Sequence, residues 1–233
     1  MSELINAEKA EITTSQEVYD AFNSFIFSSD TKVLGKLVAR ALIAAETKDV
    51  PGDIVECGVY KGSGLLTWLK LKHVLFPNAL KKVIGFDYFD TDVLLNSLTG
   101  LDLQRMEELF RERDYHHASG AEQFLLDQIH AAGFTAGDFE LIKGNVSVTA
   151  PEFVAKRPGL KISVLYMDLD LADCTYNALA SLWPRVSKGG IVVFDEYAYH
   201  QWSEAQGVDR FFEDKNIEIK VLDYLCPTAY VRK

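Results

Sequence analysis

Apolar residues return every three or four positions between Ser15 and about Lys48. Val18, Phe22, Phe25 and Ile26 form one set, and Val33, Leu34, Leu37, Val38 and Leu42 form the next. That period predicts helix. Pro51-Gly52 interrupts it, and Ile54, Val55, Cys57 and Val59 then read as a buried strand followed by a helix from about Gly62 to His73. The alternation repeats along the chain. Strands are predicted at 82–86, 139–142, 162–167 and 191–194, with helices over 121–132, 174–186 and 203–213. Gly189-Gly190 reads as the stop of the second of those helices. Strands that are apolar throughout, rather than alternating, imply a parallel sheet covered by helices on both faces. Two last strands, 218–222 and 229–232, are too close in sequence for a crossover and should form an antiparallel hairpin. The fold class is therefore α/β, a doubly wound and mostly parallel seven-stranded sheet. The first 50 residues form a helical segment packing on the core, and residues 51–233 form the main domain.

One stretch breaks the rhythm. Asp90 to Gly120 is polar, carries the pair His116-His117, and leaves the carboxyl end of the second strand. Ligands bind at that end of open α/β sheets, so the insertion reads as a lid.

Composition narrows the partners. A net charge of −10 with no Lys/Arg cluster disfavours nucleic acid. No apolar run reaches the roughly 18 residues of a membrane span, and the N-terminus lacks an apolar signal-peptide core. Cys57, Cys174 and Cys226 are few and show no metal-ligand spacing, which suits a reducing cytoplasm. The expectation is a cytoplasmic enzyme with a small-molecule partner, without nucleic acid or membrane, forming a homo-oligomer. Phe22, Phe25 and Phe27 are expected in the core or at the subunit interface. His73 and His130 should be partly buried, and His200 lies near the cleft.

The chemistry gathers at strand ends. The first strand runs into Glu56-Cys57-Gly58-Val59-Tyr60-Lys61-Gly62-Ser63-Gly64. Glycines at a strand-to-helix turn let backbone approach a ligand and expose helix N-terminal amides. The spacing is not the GxGxxG of a dinucleotide site. The second strand ends at Asp87, where an acid accepts hydrogen bonds from ribose hydroxyls, and the third at Gly144-Asn145, where Asn145 can meet an adenine.

The fourth and fifth strands end in acids, Asp168-Leu169-Asp170 with Asp173 nearby, and Asp195-Glu196. Converging carboxylates repel unless a cation neutralises them, and hard oxygen ligands suit magnesium. Asp173 reads as a helix cap. A metal would lower the pKa of a bound hydroxyl, and a neighbouring carboxylate would take its proton.

These segments, from Gly52-Asp53-Ile54-Val55-Glu56 through Gly85-Phe86-Asp87-Tyr88-Phe89 to Gly189–Tyr197, resemble the macrocin O-methyltransferase family. The likeness runs from about Pro51 to the C-terminus. It is similar in logic, more distantly, to catechol O-methyltransferase. The resemblance implies a class I, Rossmann-like methyltransferase that uses S-adenosylmethionine and magnesium (Mg2+) to methylate sugar hydroxyls of natural products. It places cofactor contacts on Glu56, Gly58, Val59, Tyr60, Gly62, Ser63, Asp87 and Asn145. Its metal ligands fall on Asp168, Asp195 and Glu196. The base falls on Asp168, with Asp170 as the second candidate. Where the family carries D-G-D-x-Y-x-S-T, this chain has Asp168 to Thr175 without the Gly and Tyr, and Glu196 replaces the usual second Asp. A catechol-type diol acceptor and a non-catalytic cofactor-binding module are the alternatives.

Overall fold

The computed structural model describes residues 15–113, 120–222 and 226–233. Helices α1 (Gln16–Phe27) and α2 (Lys32–Glu46) precede β1 (Asp53–Cys57), α3 (Ser63–Leu75) and β2 (Val83–Asp87). Next come α4 (Thr91–Asn96), α5 (Gly100–Glu112), α6 (Ala121–Ala131), β3 (Phe139–Lys143) and α7 (Val146–Ala155). The chain closes with β4 (Ile162–Met167), α8 (Ala172–Leu182), β5 (Val186–Phe194), α9 (Glu204–Phe212), β6 (Lys220–Val221) and β7 (Ala229–Arg232).

The seven strands lie in the order β3-β2-β1-β4-β5-β7-β6. β1 to β5 pair in parallel, and β7 runs antiparallel to both β5 and β6. The order reverses at β1, whose neighbours β2 and β4 lead away in opposite directions. Alternate residues of each strand feed two apolar layers. Val55, Ile84, Leu165 and Val192 face one, and Ile54, Val83, Val164 and Ile191 face the other. Trp68 of α3, wholly buried, meets the ring of Tyr166 edge-on at 6.0 Å and ties helix to sheet.

The elements depart from the sequence reading in four places. The predicted N-terminal helix is two helices, broken at Ser28–Asp30, where the Ser28 hydroxyl turns back onto the Phe25 carbonyl. Gly189-Gly190 stop no helix. α8 ends at Leu182 in a short 3-10 turn through Trp183–Arg185, and the glycines lie inside β5. Any side chain on Gly190 would press into the Ser187 carbonyl and the Val186 side chain at 2.9 Å. The stretch after β2 holds two helices, with Met106 of α5 in the core. α7 was not anticipated, because Pro151 lies inside it. His116 and His117 lie outside the described residues.

Candidate active site

Register builds the site. Cys57 is level with Phe86 and with Met167, and Met167 is level with Phe194. The next residue on each strand is therefore Gly58, Asp87, Asp168 or Asp195, and all four emerge along one line at the carboxyl edge of the sheet. The ladder continues one bond further: Gly58 N–H donates to the Phe86 carbonyl, Asp168 N–H to Cys57 and Asp195 N–H to Met167. Two chemistries, glycine loop and acids, are thus adjacent because their strands are.

A cavity of about 380 Å³ opens above this line, within the range of small-molecule sites. Gly58, Tyr60, Ser63, Asp87 and Gly144 wall one end. Asp168, Asp170 and Glu196 wall the other, with Lys32 and Lys36 of α2. Thr91, Leu94, Met106, Leu109 and Phe110 from α4 and α5, with Arg113 at the C-terminal cap of α5, roof it. The roof is tied across the cleft, since the Ser203 hydroxyl donates to Asp102 at 3.1 Å and the Arg105 guanidinium donates to the Gln201 carbonyl.

The loop after β1 is held open by Asp87. One oxygen of its carboxylate accepts the N–H of Val59 at 2.8 Å and of Tyr60 at 2.9 Å, and the other accepts Phe89 N–H at 2.8 Å. Burial pushes the Asp87 carboxyl above its ordinary range, and these backbone donors oppose that. Gly58 and Gly62 stand at φ of 91° and 89°. A Cβ on Gly58 would meet the Asp168 carbonyl oxygen at 1.8 Å, and one on Gly62 would meet a Leu125 methyl at 2.2 Å. Tyr60 and Asp170, both on the cavity wall, also take left-handed backbone, as does the buried Phe89 between the lining residues Tyr88 and Asp90, the strain that functional sites store.

Other predicted cofactor residues sit less directly. Val59 is buried in the apolar layer. Glu56 is 1% exposed and ion-paired with Arg40 at 2.8 Å, its Oε2 buried without a partner. Asn145 caps α7, its Oδ1 accepting the Ser147 N–H at 2.9 Å, while its neighbours Gly144 and Val146 line the cavity.

The acids converge. Lys36 Nζ bridges Asp195 Oδ2 at 2.7 Å and Asp168 Oδ2 at 3.2 Å, and Lys32 Nζ stands 3.5 Å from Glu196. Asp195, fully buried, also accepts the Tyr166 phenol and the Cys226 thiol, the latter at 2.6 Å. One carboxylate oxygen from each of Asp195 and Glu196 and the Cys226 sulfur lie within 4.8 Å of one another. Glu196 Oε2 is buried without a partner. Behind it, Glu204 accepts the Glu196 N–H at 3.0 Å.

The electrostatics separate these groups. Burial would raise Asp195, but the Lys36 charge and hydrogen bonds from Cys226, Lys36 and Tyr166 hold it below the ordinary carboxylate range. Asp168 is driven well up by burial and by Asp195 beside it. Asp170 is pushed up to about 7 by burial, then by Glu196 and Asp195. Asp195 is thus held down while the two acids on the cavity wall are pushed up toward stronger basicity, the kind of separation that acid–base chemistry draws on.

Asp173 supplies no cap bond. It lies in the first turn of α8 and pairs with Arg210 at 2.9 Å. His73 and His130 are exposed rather than partly buried, each at the polar end of its helix. His200 is exposed and stacks on Tyr199. Phe22 and Phe27 are 53% and 83% exposed, so they are not core of this chain.

Lys32, Lys36 and Arg40 were missed by sequence reasoning. They recur every four residues on an otherwise apolar helix, and that stripe of cations was the available signal. The model of the Macrocin-O-methyltransferase (TylF) family matches residues 32–233, from the first of those lysines to the last residue. The chain belongs to the macrocin O-methyltransferase family. Two curated relatives are similar over 64% of the chain. One, from Streptomyces olivaceus, is an 8-demethyl-8-(2,3-dimethoxy-alpha-L-rhamnosyl)-tetracenomycin-C 4'-O-methyltransferase, 30% identical over 152 residues. The other, from Streptomyces niveus, is a demethyldecarbamoylnovobiocin O-methyltransferase, 27% identical over 164 residues. The matched segment is 54% of each relative, so the chain spans about half the length of the curated relatives it matches. Among solved structures, CalS11, a TDP-rhamnose 3'-O-methyltransferase of calicheamicin biosynthesis, superposes with a TM-score of 0.73 at 23% identity, covering 99% of this chain and 91% of that one. The O-methyltransferase NovP gives 0.69 at 21% identity, over 85% and 79%. The fold of this macrocin O-methyltransferase family member is the class I methyltransferase fold.

Proposed function

We propose that the protein is an S-adenosylmethionine- and magnesium-dependent O-methyltransferase acting on a hydroxyl of a sugar-like natural product. The observation that carries this reading is the single register line that sets the Asp87-held glycine loop beside the acids at the ends of β4 and β5, with Asp168 and Glu196 on the wall of the same cavity and the buried Asp195 joined to Asp168 through Lys36. Membership of the family and the sugar O-methyltransferases among its relatives support it.

The residues present fit both absent groups. For the cofactor, Gly58 lines the cavity in a backbone form that its close approach to Asp168 reserves for glycine, Asp87 is poised for ribose hydroxyls, and Glu56 keeps a buried oxygen unpartnered. The sulfonium supplies an already activated methyl group. For the metal, Asp168, Asp195 and Glu196 offer hard oxygens, one of them buried and unpaired, and the ion would supply a Lewis acid that acidifies the acceptor hydroxyl.

The chain's own work is alignment and proton transfer. Asp168 or Asp170, both on the cavity wall, takes the hydroxyl proton. Leu94, Met106, Leu109 and Phe110 exclude water beside them, and α4 and α5 serve as the lid. The apolar residues left open on α1, Val18, Tyr19, Phe22 and Ile26 among them, support a homo-oligomer joined through the N-terminal helices.

Methyl transfer from labelled S-adenosylmethionine to nucleotide-linked deoxysugars, with magnesium and with chelator, tests the reading. Magnesium-dependent product that disappears in Asp168→Asn supports it. Activity on no hydroxyl of a sugar panel would move the acceptor class elsewhere.

A further inference from the structure

The acidic end of the cavity already holds a cation, and the chain itself supplies it. Lys36 Nζ lies 2.7 Å from Asp195 Oδ2 and 3.2 Å from Asp168 Oδ2. These are oxygens of two of the three residues on which the metal reading depends. An octahedral divalent ion needs such oxygens at about 2.0–2.1 Å, and an ammonium bridging them leaves no such place. Without that ammonium, Asp195 would be a fully buried charge held only by neutral donors, a costly arrangement. Lys36 is only a quarter exposed, so it is built into the site.

We propose that Lys36 is the resident cation of this cluster, holding the position between Asp168 and Asp195, and that a divalent ion enters only by displacing it. The inference rests on the metal reading of the same acids. The flexible four-carbon stem makes the exchange feasible, because the ammonium can swing along the cavity wall that Lys36 lines while the backbone of α2 stays put. Lys32, 41% exposed and 3.5 Å from Glu196, is the weaker counterpart, more easily screened by water.

The exchange has a consequence for affinity. An ion that must expel a lysine binds more weakly than one that meets two uncompensated carboxylates. Removing the charge while keeping the length should therefore tighten metal binding. A merely structural lysine would have no such effect.

The test is titration of the chelator-treated full chain with Mn2+ alone, read by the loss of free-ion paramagnetic resonance. Lys36→Met should bind at least about ten-fold more tightly than the unaltered protein. Lys36→Arg, which keeps the charge, should not, and Lys32→Met should change affinity less. Lys36→Gln serves as the second neutral variant if Lys36→Met fails to fold by circular dichroism. In either neutral variant, Asp168→Asn should abolish the gain. Equal or weaker Mn2+ binding by the neutral variants, with binding still lost in Asp168→Asn, would overturn the displacement and leave the metal site standing. No Mn2+ bound by any variant would overturn both.

Discussion

Oδ2 of Asp87 accepts the backbone N–H of Tyr60 at 2.9 Å, across the tips of β2 and β1. Tyr60 sits at φ 52°, a conformation that costs about 1–3 kcal/mol in a residue with a side chain. The carboxylate therefore holds a strained loop as well as facing the cavity. Asp87→Ala removes its bonds to Val59, Tyr60 and Phe89, whose gain is partly offset by the cost of burying the carboxyl. Urea denaturation should show a loss of about 2–4 kcal/mol. Asp87→Asn, which keeps an acceptor, should lose about half of that.

Gly58 tests the same loop from the other side. A Cβ there would meet the Asp168 backbone carbonyl oxygen at 1.8 Å, at φ 91°. No side-chain rotation relieves that contact. Gly58→Ala should lower the thermal midpoint and cost about 2 kcal/mol or more. It should also weaken S-adenosylhomocysteine binding, because the end of β4 must retreat from β1. A midpoint unchanged within error would show that the close approach is absent.

The run of strands and the carboxyl-edge site were legible because they follow from local signals: apolar runs, glycine turns and acids placed at strand ends. Gly58, Tyr60, Ser63, Asp87, Asp168, Asp170 and Glu196 all reach the cavity that those signals imply. What was not legible depends on tertiary packing. Glycines 189 and 190 carry the signature of a helix stop, yet they lie inside β5, between the residues that pair with β4, and exchange backbone hydrogen bonds with Lys233. Asn145 looked like a ligand contact, but its side chain meets a helix N-terminus that Pro151 disguised. Lys36 and Arg40 reach the site from a helix that precedes the first strand, and no motif spacing links them to Asp168 or Glu56.

Arg40 carries a stability prediction. Its guanidinium pairs with Glu56 at 2.8 Å and lies 4.2 Å from the Tyr166 ring centroid, with both partners of the ion pair buried. Arg40→Met leaves Glu56 charged and alone, at a cost of about 3–5 kcal/mol. Adding Glu56→Gln should recover part of that loss, since two neutral groups replace one stranded charge. A double-mutant cycle in chemical denaturation measures the coupling.

Acid sensitivity follows from Asp138. Hydrogen bonds from the Thr135 backbone and hydroxyl, with Lys72 at 3.2 Å, hold its carboxyl below the ordinary value of 3.8. A depressed acid stabilises the fold above its unfolded pKa, and that stabilisation fades as pH falls through the folded value. Asp138→Asn should therefore lower the thermal midpoint at neutral pH and converge on the unaltered protein once the pH falls below the folded value. Because Asp138 is about a third exposed, the effect should stay below about 1 kcal/mol.

The central claim is that the glycine loop and Asp87 form an S-adenosyl site, and calorimetric titration of the chelator-treated protein with S-adenosylhomocysteine tests it most directly. One site of about micromolar affinity is expected, lost in Asp87→Ala while that variant remains folded. Absence of both heat and thermal stabilisation at saturating ligand would contradict it.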